Sequence, residues 1–118
     1  DQLVGFGFGS YALVASVVAT SISPPFMGGF IRDERKQHGR RRLVEGPILR
    51  DRPVVLIDDI LNSGRSALKA VALLQQDGFQ VVGMMCLFNF AWSGGRARLE
   101  DHGLWVDSLL DLNLREGE

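Results

Sequence analysis

The chain has 118 residues, a formal net charge of −1 and 46% hydrophobic residues, which is the balance of one soluble globular domain with a modest core. Neither value indicates a nucleic-acid-binding or a membrane protein, and the longest apolar stretch, 11–22, is too short to cross a bilayer. The single cysteine, Cys86, lies in an apolar run and leaves no disulfide framework or zinc site. No charged leader is visible, and we expect a cytoplasmic protein.

Strands and helices alternate along the chain. A short strand at Gln2–Phe6 leads through a glycine-rich turn into an apolar helix at Tyr11–Ser21, which prolines then end. The elements predicted after it are a strand at Phe26–Ile31, a polar segment at 32–52, a strand at Val54–Ile57, a helix from Ala67 to about Asp77, a strand at Phe79–Phe88, a helix at Arg96–His102 and a strand at Leu104–Val106. This order predicts an α/β fold with a mainly parallel sheet flanked by helices, whose ligands bind beyond the carboxyl ends of the strands.

The most informative segment is 54–66, where an apolar strand, two acids, a small polar turn and a helix follow one another. Asp58 and Asp59 stand where the predicted strand ends. The turn consists of Asn62, Ser63, Gly64, Arg65 and Ser66. A helix N-terminus after such a turn offers unpaired N–H groups to an anion, and the two acids suit sugar hydroxyls or a divalent cation. The alternative is a strand end whose acids cap the next helix.

The turn after the first strand carries glycine at positions 5, 7 and 9. Glycine lets backbone amides approach a ligand closely. A dinucleotide fingerprint would need a further glycine where Ser10 stands, so a plain tight turn and a nicotinamide-dependent enzyme both remain open. The candidate ligand-facing residues of this turn are Gly7, Phe8, Gly9 and Ser10.

Basic residues are concentrated in the middle of the chain, with eight of the 13 between positions 32 and 52. In a chain of net charge −1, this local excess predicts an anionic partner. No aromatic residue is interleaved with these charges, which disfavours nucleic acid as that partner. A solvated surface loop is the alternative.

Taken together, these segments resemble the type I phosphoribosyltransferases, most closely the orotate phosphoribosyltransferases. Segment 58–66 is similar to the family signature of two acids, two apolar residues, two Thr/Ser-like residues, glycine, a small residue and Thr or Ser, with departures at Asn62 and Arg65. Segment 32–46 resembles the family's mobile catalytic loop, with one charge reversed at Asp33. The residues that match this loop are Arg32, Glu34, Lys36, His38, Gly39, Leu43, Val44, Glu45 and Gly46.

The resemblance implies transfer of ribose 5-phosphate from phosphoribosyl pyrophosphate (PRPP) to a nitrogenous base, orotate above all, with release of pyrophosphate. It implies Mg²⁺ as cofactor, with little direct protein ligation, and a homodimer in which the mobile loop closes over the neighbouring site. The implied catalytic residues are Lys36, His38, Asp58 and Asp59. The implied PRPP contacts are Gly7, Phe8, Gly9, Ser10, Arg32, Asp58, Asp59, Asn62, Ser63, Gly64, Arg65 and Ser66.

The chain departs from the orotate enzymes at the residues that should select the base. Those enzymes carry Asp-Arg after the long strand, and the arginine pairs with the orotate carboxylate, whereas this chain has Asn89-Phe90. Losing such a buried bidentate contact costs about 2–5 kcal/mol. Together with Ser63, these two are the candidate base-binding residues, and orotate, another pyrimidine or a different nitrogenous ring all remain open.

A non-catalytic module that binds PRPP and regulates another process is the alternative function, and Asn89-Phe90, Arg65 and Asp33 favour it. Retention of Lys36 and His38 favours the enzyme, because a sensor has no need of a closing catalytic loop. We expect residues 1–118 to form one phosphoribosyltransferase core domain, without the amino-terminal hood that the family carries.

Overall fold

Apart from one additional short strand, the strands and helices follow the order that the alternating sequence pattern predicts. The structure is a computed structural model that describes residues 2–7, 9–20, 26–31 and 43–113. The strands in these ranges are β1 (Gln2–Gly5), β2 (Met27–Ile31), β3 (Val44–Glu45), β4 (Val54–Leu61), β5 (Val81–Phe90) and β6 (Trp105–Leu112). The helices are α1 (Ser10–Thr20), α2 (Arg65–Gln76) and α3 (Gly95–Asp101), and a single 3₁₀ turn at Ala91–Ser93 follows β5.

The strands form one sheet in the order β3-β2-β1-β4-β5-β6. All neighbouring pairs are parallel except β2 and β3, which are antiparallel at one edge. The predicted α/β fold with a mainly parallel sheet is therefore confirmed. The strand order reverses between β1 and β4, and ligands of open α/β sheets bind in the crevice beyond the carboxyl ends of such a pair.

Helices cover both faces of the sheet because its central strands are apolar on both sides. On one face α1 buries Val14 against Leu3 and Ile57. On the other face α2 and α3 contribute Leu74 and Leu99 to a larger cluster. Within the described ranges, no helix combines the length and apolar character that crossing a bilayer requires.

β4 is longer than the prediction, which placed the two acids after its end. The strand runs to Leu61, so Asp58 and Asp59 lie within it. The reason is that β5 continues alongside, with Asp58 opposite Cys86 and Leu61 opposite Asn89, and this pairing holds the polar residues in the extended conformation. Both acids consequently lie within β4 and do not belong to a loop, and Asp58 is paired directly with β5.

The other boundaries differ from the prediction mainly at the edges of the sheet. β3 lies in a segment that the sequence indicated only as polar, and β6 extends six residues beyond Val106, to Leu112. Both are edge strands, which pair on one side only and need little apolar periodicity. α2 begins at Arg65, two residues before the predicted start, because Leu68 N already donates to the Gly64 carbonyl oxygen at 2.9 Å.

Candidate active site

The glycine turn after β1 (residues 5–10) lies directly against the acid pair of β4 (Asp58 and Asp59). The parallel register places Gly5 opposite Ile57, so the next residues of both strands emerge side by side. A Cβ atom on Gly7 would lie 3.4 Å from Asp58 Oδ2, and one on Gly9 would overlap the Asp59 carboxylate. Gly7 also has φ +132°, a conformation that side chains disfavour. Glycine is therefore required at position 7 by the backbone conformation and at position 9 by the close approach of the Asp59 carboxylate.

Ser10 determines the shape of this turn. Its side chain is fully buried, and Oγ donates a hydrogen bond to the Gly7 carbonyl oxygen at 2.6 Å. The Ser10 backbone N–H donates to the same oxygen at 3.2 Å. Because both donors of Ser10 are engaged within the turn, the backbone N–H groups of Gly7 and Gly9 are the better candidates to meet a ligand.

Asp58 has an unusual protonation equilibrium for a carboxyl group. Its side chain is half-buried, and burial raises its pKa from 3.8 to about 6. The Asp59 backbone N–H donates to Asp58 Oδ1 at 2.8 Å and lowers this pKa, while the neighbouring Asp59 carboxylate raises it. Two neighbouring carboxyl groups in β4 favour a ligand that brings hydroxyl donors or positive charge.

A cavity of about 120 Å³ lies between β4, the turn at residues 62–64 and the start of α2. Among its lining residues are Phe6, Asp58, Asn62, Ser63, Gly64 and Ser66. With about 30 Å³ per water molecule, it has room for about four waters, which suits one terminal group of a larger ligand.

The 62–64 turn opens the N-terminal end of α2 towards this cavity. Gly64 has φ +84° and accepts the first intrahelical bond, so the backbone N–H groups just before Leu68 have no carbonyl within the helix. Arg65 N lies 3.4 Å from Ser63 Oγ, and the side chains of Arg65 and Ser66 are exposed. Amides and hydroxyls at the positive end of a twelve-residue helix form a suitable anion site.

Three residues that the sequence did not single out hold the 62–64 turn in place. Arg98 Nε donates to the Ser63 carbonyl oxygen at 2.8 Å, and Ser93 Oγ donates to the Asn62 carbonyl oxygen. A Cβ on Gly95 would overlap that same Asn62 oxygen. The only sequence signal was Gly94-Gly95, which indicated a break between elements, and a break gives no information about its long-range partner.

The candidate base-binding residues do not all converge. Ser63 and Asp58 both line the cavity beside the 62–64 turn. Phe90 ends β5 and stacks on Trp92, with ring centroids 4.9 Å apart and planes 10° from parallel. Asn89, in contrast, is buried, donates from Nδ2 to Asp111 Oδ1 at 3.1 Å and lines a different cavity.

Several predicted site residues lie outside the described ranges. These are Phe8 in the glycine turn and Arg32, Lys36 and His38 in the basic segment. In the part of the chain that the structure describes, no three His, Cys, Asp or Glu side chains converge on a point that could hold a metal ion. The acid pair still offers hard oxygen atoms that fit a Mg²⁺ ion carried mainly by substrate oxygens and water.

Cys86 has no place in this site. The thiol is buried, and burial raises its pKa to about 11, so the nucleophilic thiolate is scarce at neutral pH.

These features define an α/β protein with a candidate site for an anionic, hydroxyl-bearing ligand at the switch point of its sheet. The chain belongs to the phosphoribosyltransferase family, since the family model described as phosphoribosyl transferase domain matches residues 13–112. Its fold is that of the type I phosphoribosyltransferases, and the resemblance read from the sequence is confirmed.

The similar curated proteins are orotate phosphoribosyltransferases. The enzyme of Listeria monocytogenes is 34% identical over 93 residues, which are 74% of this chain and 44% of that protein. The enzyme of Bacteroides thetaiotaomicron is 32% identical over 123 aligned positions, covering 99% of this chain and 57% of that protein. The chain thus spans about half the length of the curated relatives it matches.

The similar solved structures are phosphoribosyltransferases as well. The orotate phosphoribosyltransferase of Mycobacterium tuberculosis in complex with PRPP superposes with a TM-score of 0.78 at 27% identity, covering 94% of this chain and 62% of that one. A phosphoribosyltransferase from Corynebacterium diphtheriae gives a TM-score of 0.80 at 25% identity, covering 93% of this chain and 63% of that one.

Proposed function

We propose that residues 1–118 form the core domain of a phosphoribosyltransferase that transfers ribose 5-phosphate from PRPP to orotate and releases pyrophosphate. The observation that carries this proposal is the contact between the glycine turn and the acid pair, with the 62–64 turn beside them. Pyrophosphate, ribose hydroxyls and 5′-phosphate are three chemically different groups of one donor. The glycine turn offers amides for the pyrophosphate, and the acid pair offers carboxylates for the ribose hydroxyls. The 62–64 turn offers a helix N-terminus for the 5′-phosphate.

Each segment has a defined task in binding the donor. The N-terminal end of α2 holds the 5′-phosphate, with help from the hydroxyls of Ser63 and Ser66 and the amides of 62–66. Asp58 and Asp59 accept hydrogen bonds from the ribose 2- and 3-hydroxyls. The amides of the glycine turn face the pyrophosphate, and Ser10 keeps that turn in shape.

The chemistry is a substitution at C1 of the ribose. A base nitrogen gives up its N–H proton, which an oxygen of the departing pyrophosphate can accept, and its lone pair forms the new C1–N bond. The pyrophosphate leaves with the electron pair of the C1–O bond. Positive charge grows on the sugar, where the acid pair stabilises it, and negative charge grows on the pyrophosphate, where the glycine turn and Lys36 stabilise it. Mg²⁺, when bound through the donor, neutralises part of the pyrophosphate charge.

The basic segment supplies the closing step of this proposal. Arg32, Lys36 and His38 match the catalytic loop of the orotate enzymes, and closure of this loop would keep water from hydrolysing the donor. The same resemblance leads us to propose a homodimer in which each loop serves the neighbouring site.

Orotate as the acceptor rests on the relatives, while one observation favours a different ring. Phe90 occupies the position of the expected arginine and stacks on Trp92, whose side chain is 49% exposed. This aromatic pair offers a stacking surface at the carboxyl end of β5 and no charge for a carboxylate. A base without a carboxylate is therefore the second candidate acceptor.

A pyrophosphate-release assay tests the function. The full chain is incubated with Mg²⁺, PRPP and, in turn, orotate, uracil and adenine, and pyrophosphate release is expected with orotate.

Lys36→Ala should lower kcat about 100-fold with little change in the KM for PRPP, because that residue acts on charge that develops in the transition state. Asp59→Asn should lower kcat/KM for PRPP with whichever base is used. Lys69→Ala is the matched control, since Lys69 is exposed on α2.

The outcomes are distinct. Release with uracil or adenine and none with orotate would replace the acceptor and keep the reaction. Tight PRPP binding without release for any base would replace the enzyme with a PRPP-binding regulatory module. Unchanged kinetics in Asp59→Asn would remove the acid pair from the donor site.

A further inference from the structure

Two side chains beyond β5 hold carbonyl oxygen atoms of the 62–64 turn, and the reaction proposed above gives neither of them a task. Arg98, on α3, donates from Nε to the Ser63 carbonyl oxygen at 2.8 Å. Ser93, just before α3, donates from Oγ to the Asn62 carbonyl oxygen. Two consecutive carbonyl groups of the turn are therefore held on the side that faces α3.

The turn and the start of α3 are also in direct backbone contact. A Cβ on Gly95 would overlap the Asn62 carbonyl oxygen, and one on Gly64 would lie 3.1 Å from the Gly95 oxygen. Ser93 Oγ lies 2.6 Å from the carbonyl oxygen of Phe90, so its single hydroxyl hydrogen is shared between the end of β5 and the turn. These contacts leave the turn no space to move towards α3.

The orientation of these carbonyl groups fixes the orientation of two backbone N–H groups. In a trans peptide unit the C=O and N–H bonds point in opposite directions. Holding the oxygens of Asn62 and Ser63 towards α3 therefore directs the N–H groups of Ser63 and Gly64 away from it. Neither N–H donates to an acceptor in the part of the chain that the structure describes. The cavity beside the turn is lined by these residues and by none of 91–101, so it lies on the side to which the N–H groups point.

We infer that Ser93 and Arg98 are positioning residues for the donor, because they hold the peptide groups of the 62–64 turn in the orientation that binds its 5′-phosphate. This inference rests on the proposed function, which assigns the 5′-phosphate to this turn. Without the two side chains the peptide groups are free to rotate, and the phosphate would have to order them on binding. Arg98 is exposed and forms no ion pair with a described carboxylate, so its charge also attracts a phosphate. Orientation and charge are separable by substitution.

Arg98→Gln and Arg98→Met form a matched pair for this test. Both remove the charge and reach equally far, but the glutamine amide nitrogen takes the place of Nε and donates, whereas the methionine methyl group does not. By titration calorimetry of the full chain with ribose 5-phosphate, Arg98→Met should weaken binding about 10-fold and Arg98→Gln less than about 3-fold. Ser93→Ala should weaken binding about 5-fold for the same reason. Arg96→Met is the control, since Arg96 lies on the same helix and donates to the Val106 carbonyl oxygen instead.

Steady-state kinetics separates positioning from general damage to the fold. The 5′-phosphate keeps its contacts throughout the reaction, so Arg98→Met should raise the KM for PRPP about 10-fold and leave kcat within about 2-fold. The KM for the base should stay the same. A smaller folded fraction would instead lower kcat and leave the KM for PRPP unchanged.

Several results would overturn the positioning role and leave the proposed function standing. Equal weakening in Arg98→Gln and Arg98→Met would assign the effect to charge. Full affinity in Arg98→Met and Ser93→Ala, or an equal loss in Arg96→Met, would show that the carbonyl contacts do not matter to the phosphate. If the chain without substitutions binds neither ribose 5-phosphate nor PRPP, the proposed function fails and the inference fails with it.

Discussion

Asp58 lies in an environment that lowers the stability of the ligand-free fold at neutral pH. Its carboxyl group lies in the sheet beside a second acid, and burial raises its pKa from 3.8 to about 6. Between those two pH values the folded chain binds more protons than the unfolded chain, so the free energy of unfolding falls as pH rises through this window. Above pH 7 the Asp58 carboxyl group is ionised in both the folded and the unfolded chain, and the free energy of unfolding falls no further on its account.

Asp58→Asn should therefore stabilise the ligand-free protein at pH 7.5 and change it little at pH 4. The amide oxygen can still accept from the Asp59 backbone N–H, while the unfavourable charge is gone. We expect the free energy of unfolding to rise by about 1 kcal/mol at pH 7.5. This is well below the free energy that the whole pKa shift would correspond to, because the carboxyl group is half exposed to solvent. Urea unfolding at both pH values measures it, with Asp51→Asn at an exposed position as control. Equal effects of Asp58→Asn at the two pH values would contradict the assignment.

The residue scale also shows what a sequence can and cannot predict about the site. Asp58, Asp59 and Ser63 were identified because their types follow one another along the chain in an informative order. Arg98 and Gly95 were not, because their partners in the 62–64 turn lie more than 30 positions away. The sequence identified Asn89 as a departure from the Asp-Arg pair that the orotate enzymes carry after the long strand. Its pairing with Asp111 was not predictable, because it depends on the register of β5 and β6.

At the scale of elements, the packing of α1 on β2 requires glycine. A Cβ on Gly28 would lie 2.6 Å from Val14 Cγ1 and 2.8 Å from Val18 Cγ2. Gly28→Ala should push α1 away from the sheet at a cost of about 1–3 kcal/mol. Since Ser10 begins α1 and shapes the glycine turn, we also expect a higher KM for PRPP. Thermal unfolding and steady-state kinetics measure the two effects.

A double-mutant cycle isolates this contact from general damage. Val14→Ala removes the methyl group nearest to the new Cβ, so Gly28→Ala should cost less in that background, with a coupling of about 0.5–3 kcal/mol. Strict additivity of the two changes would mean that α1 does not rest on Gly28.

The elements themselves were predictable where their periodicity is strong. The apolar pattern from Ala67 to Leu74 placed α2 correctly except for its first two residues, because helix starts depend on backbone bonds such as the one from Leu68 to Gly64. β4 and β6 were predicted too short, since the residues that extend them are held by neighbouring strands and not by their own propensity.

At the scale of the whole molecule, the proposed donor site joins segments that are distant in the chain. The glycine turn follows β1, the acid pair lies in β4, and the 62–64 turn begins α2. A ligand that contacts all three connects the two halves of the sheet at its switch point. It binds the folded chain alone, because the unfolded chain has no such site, and it must therefore stabilise the fold as a unit.

PRPP with Mg²⁺ should raise the thermal midpoint of the full chain by about 11–22 °C at 100 times its dissociation constant. That ligand excess corresponds to about 2.7 kcal/mol, and each kcal/mol corresponds to about 4–8 °C in a domain near this size. Chelating Mg²⁺ with EDTA should reduce the shift, because the pyrophosphate charge then meets the acid pair without neutralisation. Ribose 5-phosphate, which lacks the pyrophosphate, should give a smaller shift that does not depend on EDTA. A PRPP shift that is equally large in Asp59→Asn would place the donor elsewhere on the molecule. A shift that EDTA leaves unchanged would show that Mg²⁺ takes no part in donor binding.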